Sequence, residues 1–302
     1  MSAKGVDLVV VGAGPAGVAA ALMADSLGLR ATVVEADRVA AKPAAIGALA
    51  NVPGGWADGA ALARALRADV ERLRRTGRCA LVTGRVVRVA GYEDRAEAVL
   101  ADGRVCAGGA VVVATGVEAL APSATDWITA APGVPPPPPL WRAVPDGLAG
   151  RRVVVLGGDR PLGTWLRSHP GAPVLLHVLH PAADAYKAAE AADDTRVRLE
   201  EVERVTLRPG GPAVRVEARH ADGSVRTYAA DLVLGNLGGR PAAPEGLVLG
   251  PDGHCPPTAQ HPRVLTAGDV RAARFQRIGI AMGSGAEAVL THYYGLTRQP
   301  GL

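Results

Sequence analysis

The sequence predicts an α/β protein of two three-layer domains, the second inserted in the first. Three observations carry this prediction. An apolar run, Val6 to Val11, breaks into Gly12-Ala13-Gly14-Pro15-Ala16-Gly17, an alanine-rich helical stretch and a second apolar run, Ala31 to Val34, that ends on Glu35. Near Arg151 the pattern begins again, with Val153 to Leu156 leading into Gly157-Gly158-Asp159-Arg160-Pro161-Leu162-Gly163. Further strand-like runs continue to Leu234, after which the chain returns to a strand near Arg263 to Thr266 and a helical stretch from about Ile278 to Tyr294.

The first of these units reads as strand, turn, helix, strand and terminal acid, the order of a dinucleotide-binding βαβ unit. Gly12 permits the tight turn, Gly14 lets backbone N–H groups approach a pyrophosphate, and Gly17 lets the helix pack close to the strand. The helix N-terminus turns the positive end of its dipole to the phosphates. Glu35 is placed to accept hydrogen bonds from a ribose that keeps its hydroxyls, and its charge repels a 2′-phosphate. The ligand is therefore FAD or NAD rather than NADP. The alternative is a glycine turn in an ordinary α/β domain; the strand-turn-helix context and the acid at the right distance favour the nucleotide.

The 302 residues suffice for two domains of ordinary size, each with its own core. Aromatic residues make up only 3% of the chain, so Val, Leu and Ala must fill those cores. The net charge is +4, but acids interrupt the basic runs; Arg64 to Arg78 contains Asp69 and Glu71. That is the pattern of solvated helix faces and excludes a nucleic-acid-binding stripe. No apolar run has the length of a membrane span, and the apolar N-terminal run lacks a signal-peptide cleavage region, so a cytoplasmic protein without membrane partners is expected. Cys79, Cys106 and Cys255 are too far apart for a CxxC, a disulfide framework or a metal cluster, and read as buried small hydrophobes.

Taken in order after Glu35, an Ala- and Pro-rich loop leads to Asn51-Val52-Pro53-Gly54-Gly55-Trp56 and then to a helix from about Gly59 to Arg75. That helix has Leu62, Leu66, Val70 and Leu73 at helical spacing and arginines on its other face. Strands are predicted at Ala80 to Val82, Val86 to Ala90, Ala96 to Leu100, Arg104 to Cys106 and Ala110 to Val113, the last stopping at Ala114-Thr115-Gly116. Residues 117–150 read as mostly irregular, and their five consecutive prolines, Pro135 to Pro139, as a stiff spacer. In the second unit strands are expected at Pro173 to Leu179, Val197 to Leu199, Arg204 to Leu207, Ala213 to His220 and Ala230 to Leu234. The domains are thus residues 1–116 with 236–302, and an inserted domain of residues 117–235.

This order resembles the thioredoxin-reductase-like branch of the two-dinucleotide-binding-domain flavoproteins over nearly the whole chain. The matching pieces are the first glycine turn, Glu35, Asn51-x-Pro53-Gly54, Ala114-Thr115-Gly116, the second glycine turn, and Gly268-Asp269-Val270 followed by Gln276-Arg277-Ile278-Gly279-Ile280-Ala281. The resemblance implies two Rossmann-like FAD/NAD(P)-binding domains and a homodimer. It also implies FAD as cofactor, held by Gly12, Gly14, Pro15, Ala16, Gly17, Glu35, Asn51, Thr115, Gly116, Gly268, Asp269, Arg277 and Ile278. In that family Asp269 would bind the ribityl or pyrophosphate region, and the N–H groups near Ile278 would face the flavin's pyrimidine edge, which carries negative charge when reduced. Other readings stand beside these: a plain Gly-Asp turn for Asp269, and a surface turn for Asn51 to Gly54.

The departures from the family are as informative. Its dithiol, shortly before the second domain's first strand, would fall on Leu140 and Ala143, and no cysteine lies between Cys106 and Cys255. In the second glycine turn Asp159 stands where a glycine should let the pyrophosphate approach, and Pro161 removes an N–H from the cradle. The stretch at the end of the next strand and just after it, His177-Val178-Leu179-His180-Pro181-Ala182-Ala183-Asp184, has none of the arginines that read a 2′-phosphate; the two histidines read as a strand residue and a solvated loop residue. A flavin fed by neither NADPH nor a dithiol takes its electrons elsewhere.

The leading expectation is an FAD-dependent oxidase or dehydrogenase of specialised metabolism, with a small-molecule substrate reducing the flavin and O2 reoxidising it. The alternatives are a reductase fed by another donor, such as ferredoxin or NADPH bound in a non-standard way, and a non-catalytic flavin-binding subunit. No general base stands out. Arg277 is a candidate cation beside the flavin, or else a surface arginine. Trp141 and Arg142, in place of the dithiol, either line a substrate cavity or pack a linker, and Phe275 and Trp56 either wall the flavin or belong to the core.

Overall fold

Apolar runs without polar interruption suit strands covered on both faces. Leu8–Val11, Ala110–Val113 and Val153–Leu156 are buried at every residue. In the computed structural model, which describes residues 6–47, 49 and 51–296, these runs are central strands of two parallel sheets. The α-helices among the described residues are α1 (Pro15–Ser26), α2 (Gly59–Arg75), α3 (Pro161–Ser168), α4 (Ala185–Ala188) and α5 (Ile278–Leu296).

Within the described residues the chain divides into two compact units. One runs to Ala44, from Leu49 to Glu118 and from Arg240 onward; the other takes Ala45 to Gly47 and Ala119 to Gly239. The first unit has a five-stranded parallel sheet in the order Val264–Thr266, Ala110–Val113, Leu8–Val11, Ala31–Glu35, Cys79–Thr83. Leu8 pairs with Ala31 on one side and Ala110 on the other. Alternate residues of the central strands enter two cores. Leu8, Val10 and Val112 pack with Ala20, Ala24 and Val289 under the helices. Val9, Val11 and Val113 pack under an antiparallel sheet of Val86–Gly91, Ala96–Leu100 and Val105–Gly108. These are the three layers.

Helix α1 is apolar all round because it is covered by the sheet and by α5, and small residues let the helices approach: a Cβ on Gly285 would run into the Ala16 carbonyl. Helix α2 is amphipathic. Asp58 caps it by accepting the Ala61 N–H at 2.6 Å, and Arg72, Arg74 and Arg75 meet the negative end of its dipole.

In the inserted unit a parallel sheet runs Val197–Glu201, Leu176–His180, Val153–Leu156, Leu232–Gly235. A second sheet joins Val225–Ala230, Ala213–Arg219 and Arg204–Gly210 antiparallel, with Ile128–Ala130 parallel at its edge. Three strand expectations change. The run expected from Pro173 starts at Leu176. Ala230 to Leu234 is two strands, because Asp231, whose carboxylate accepts the Arg152 N–H at 2.9 Å, marks the passage from one sheet to the other. Residues 117–150 contain the short strands Val117–Ala119 and Ile128–Ala130. Among the described residues no helix is long and apolar enough to cross a membrane. Cys79 and Cys255 are buried, Cys106 only partly, and burial raises all three thiols.

Candidate functional site

The first strand ends at Val11, and Gly12 turns the chain with φ of 98°. A side chain there would be strained and would meet the Ala114 carbonyl oxygen at 2.6 Å, so the glycine turn and Ala114-Thr115-Gly116 lie together. Gly17 packs so tightly that a Cβ would strike the Gly12 carbonyl. Gly14 differs: it is the N-cap of α1, makes no side-chain cap, and faces open space. Pro15 follows at the first helical position, where its missing N–H costs the helix nothing.

Glu35 lies at the end of the second strand with both carboxylate oxygens engaged. Oε2 accepts the Ala13 N–H at 2.6 Å and Oε1 the Asp37 N–H at 2.9 Å. Each oxygen keeps a further lone pair for a ribose hydroxyl. Thr115 Oγ1 is buried without a hydrogen-bond partner beside this turn. An orphaned hydroxyl, an open glycine N-cap and an acid with spare acceptor capacity fit a bound dinucleotide.

On the other side of α1, Gly268 approaches Ala16 closely enough that a Cβ would sit 2.9 Å from the Ala16 Cβ, and its N–H donates to Ser284 Oγ of α5 at 2.8 Å. Asp269 is therefore held between the start of α1 and α5. Burial pushes its carboxyl above the usual range, against the opposing pull of Lys42, Arg277 and His254. Lys42 Nζ lies 3.8 Å from Asp269 Oδ2. Arg277 directly precedes α5, is exposed, and donates to the Gln276 carbonyl at 2.9 Å. His254, 6% exposed, has Nε2 3.4 Å from Gln276 Nε2 and Nδ1 3.1 Å from the Asp252 carbonyl. Neither Lys42 nor His254 belongs to a recognisable motif; the fold alone brings them to Asp269.

A groove of about 390 Å³ borders Gly268, Asp269, Phe275, Gly279 and Ile280. Phe275 is not a core residue: it is 77% exposed, with φ of 63°. Trp56 is half-buried and donates to the Pro53 carbonyl at 2.8 Å, bracing the turn that carries the exposed Asn51.

The inserted unit repeats the backbone design. Gly157 has φ of 96° and abuts the Asn236 carbonyl as Gly12 abuts that of Ala114. Asp184 Oδ2 accepts the Gly158 N–H at 3.3 Å, the counterpart of the Glu35 to Ala13 bond. Here, however, charged side chains fill the turn. Lys187 Nζ lies 3.2 Å from Asp159 Oδ1 and 3.1 Å from Asp184 Oδ1. Burial works against this ammonium, but the two carboxylates outweigh it and hold its pKa above the ordinary value. Asn236 Nδ2 donates to the carbonyls of Gly157 at 3.1 Å and Asp159 at 2.8 Å, so the turn is stapled in this form.

At the positions of the family's dithiol, Leu140 is fully buried in the core of the inserted unit, and the Ala143 carbonyl accepts the Trp165 N–H at 2.9 Å. The Arg142 guanidinium stacks over the Trp141 ring, 4.7 Å from its centroid. His177 is a strand residue, as expected, bonded through Nε2 to Glu200 Oε2 at 2.7 Å. His180 is not a solvated loop residue. It ends the same strand, paired with Glu201 and 6% exposed, on the face that carries the buried Leu176 and Val178.

Residues 6–158 match the pyridine nucleotide-disulphide oxidoreductase family. In fold the chain is similar to thioredoxin reductase from Lactococcus lactis, with a TM-score of 0.78 and 17% identity over 97% of this chain and 99% of that one. It is similar too to T. acidophilum thioredoxin reductase, with a TM-score of 0.76 and 18% identity over 98% and 100% of the two chains. A bacillithiol disulfide reductase from Staphylococcus aureus aligns with a TM-score of 0.69 and 13% identity over 98% and 100%. At such identities the likeness is one of fold. Among curated proteins no sequence matches. Because the family match runs through the first βαβ unit to the opening strand of the inserted one, the chain belongs to the pyridine nucleotide-disulphide oxidoreductase family, and it is an FAD-dependent oxidoreductase.

Proposed function

We propose that a small-molecule substrate reduces the FAD directly and that dioxygen reoxidises it, without NAD(P)H and without a redox disulfide. The observation that carries this is Lys187 bridging Asp159 and Asp184 inside the second glycine turn. A pyrophosphate approaching that turn meets the Asp159 carboxylate where backbone N–H groups should face it, and Lys187 is already neutralised. The buried Leu140 supports the same reading from the side of the dithiol.

When bound, FAD would supply the redox chemistry, a two-electron oxidation of the substrate with dioxygen as the acceptor and hydrogen peroxide as the product. The protein's part is electrostatic. Gly12, Gly14 and Gly17, with Pro15 and Ala16 in the first turn of α1, would hold the diphosphate at the helix N-terminus, and Glu35 would hold the ribose. Thr115, Gly116, Gly268, Asp269 and Asn51 would complete the site that holds the cofactor. Arg277 and the α5 backbone from Ile278 would supply positive potential to the negative charge of the reduced cofactor.

Anaerobic mixing with NADPH or NADH should leave the flavin oxidised, and rapid bleaching by either would overturn the proposal. Flavin reduced with dithionite should reoxidise in air within seconds; reoxidation over many minutes would point away from an oxidase. The likeness in fold to thioredoxin reductases favours a second reading, a reductase fed by another electron donor. In that case a reduced protein donor would bleach the flavin while small metabolites would not.

A further inference from the structure

Two acids, Glu35 and Asp269, flank the start of α1, and the turn from Gly12 to Gly17 contains no charged residue. Helix α1 adds no acid or base in its first turn. A diphosphate bound there would be met by backbone N–H groups, one of them lost to Pro15, and by carboxylates of its own sign. A cation is needed, and the fold provides one that no motif announces.

Lys42 reaches this place through the backbone. The Ala40 N–H donates to the Ala13 carbonyl at 2.9 Å, which pins the chain two residues before Lys42 to the glycine turn. Ala40 is fully buried and adopts φ of 56°, a left-handed conformation that opposes its own side chain and persists only where surrounding contacts impose it. From there Lys42 extends to Asp269, which sits against the first turn of α1 through Gly268 and Ala16.

The pair is coulombic. At 3.8 Å the ammonium is beyond hydrogen-bond reach of the carboxylate, so the contact leaves its three donors available, and half of the side chain is open to solvent. The protein packed around Lys42 lowers its pKa, partly offset by Asp269, while Asp269 is itself raised by burial. Neither charge is fully solvated or fully satisfied by the other.

We propose that Lys42 is the basic side chain that pairs with the diphosphate of FAD, steadied on its other side by Asp269. This rests on the assignment of FAD to the first glycine turn. It makes Lys42 a specificity residue for the dinucleotide form of the cofactor, since riboflavin has the ring and ribityl chain but no phosphate.

The test compares wild type, Lys42→Met and Lys42→Arg, titrating flavin-stripped full-length protein with FAD and separately with riboflavin at low and high salt. Lys42→Met should weaken FAD binding about tenfold, the size of one charge-assisted contact, and flatten its salt dependence. Lys42→Arg should stay within about threefold of wild type, and riboflavin should bind the three proteins alike. Unchanged FAD binding in Lys42→Met, or equal losses for FAD and riboflavin, would overturn the proposal. A wild type that binds neither flavin would remove the cofactor assignment and this proposal with it, whereas a loss confined to the variant's FAD binding leaves both standing.

Discussion

The Lys187 ammonium lies 3.2 Å from the Asp159 carboxylate, inside a turn whose counterpart in the first unit, at Gly14, faces open space. The two turns share a left-handed first glycine and an acid bonded to the next N–H, so what distinguishes them is side-chain charge. Lys187→Met should leave Asp159 and Asp184 facing each other without a cation. The expected cost is about 1–3 kcal/mol by denaturant unfolding. Asp159→Gly should raise NADPH affinity at least tenfold by calorimetry, and no gain would show that the carboxylate is not the barrier.

Gly14 and Gly17 separate ligand effects from folding effects. Gly14→Asn places a cap-compatible side chain in open space, so stability should change by no more than about 0.5 kcal/mol while FAD retention is lost. Gly17→Ala drives a methyl into the Gly12 carbonyl and should destabilise the protein by about 1–3 kcal/mol. FAD retained by Gly14→Asn would move the cofactor away from this turn.

Acidification should weaken the inserted unit in two stages. Burial lowers the pKa of His177 despite the help of Glu200, so the unfolded chain takes up the proton first and stability falls as pH drops below about 6.5. Burial pushes Glu200 up, but the hydrogen bonds from Tyr228, at 2.6 and 2.9 Å, and His177 outweigh it and leave the carboxyl below its ordinary value. Its contribution is present above about pH 4.5 and is lost as pH falls through the folded pKa. Urea midpoints from pH 8 to pH 4 should show the first stage vanish in His177→Asn. Tyr228→Phe should cost about 1–2 kcal/mol at pH 7.

Asp269 has the opposite sign. A carboxyl raised by burial opposes folding above its unfolded pKa of about 3.9, an effect that disappears at lower pH. Asp269→Asn should therefore leave the flavin-stripped protein no less stable at pH 7 in thermal melts. FAD release from the holoprotein should quicken about tenfold. A large loss of stability would make Asp269 a structural residue.

What the sequence carried was local. Helix α2 runs from Gly59 to Arg75 as its apolar spacing requires, and the valine-rich runs at residues 8–11, 110–113 and 153–156 are the buried strands they resemble. From Ala230 to Leu234 the strand-like residues continue on both sides of Asp231, and local pattern had no means of showing that this aspartate separates two sheets. His180 is another case: a histidine followed by Pro181 reads as the start of a loop, but the strand continues through it, paired with Glu201 of a strand some twenty residues on, and leaves it buried.

The sequence by itself determined that two glycine turns follow two buried strands, that the first keeps each glycine it needs, and that the second carries an aspartate and a proline. These are matters of residue type and spacing within a few turns of chain. Only the tertiary structure decided which charges meet there. Lys187 comes to Asp159 across 28 residues of sequence, and Lys42 to Asp269 across 227, and an ion pair between such distant positions leaves no periodic or spacing signal. Coulomb attraction depends on distance in space, and distance in space is what the folded chain sets.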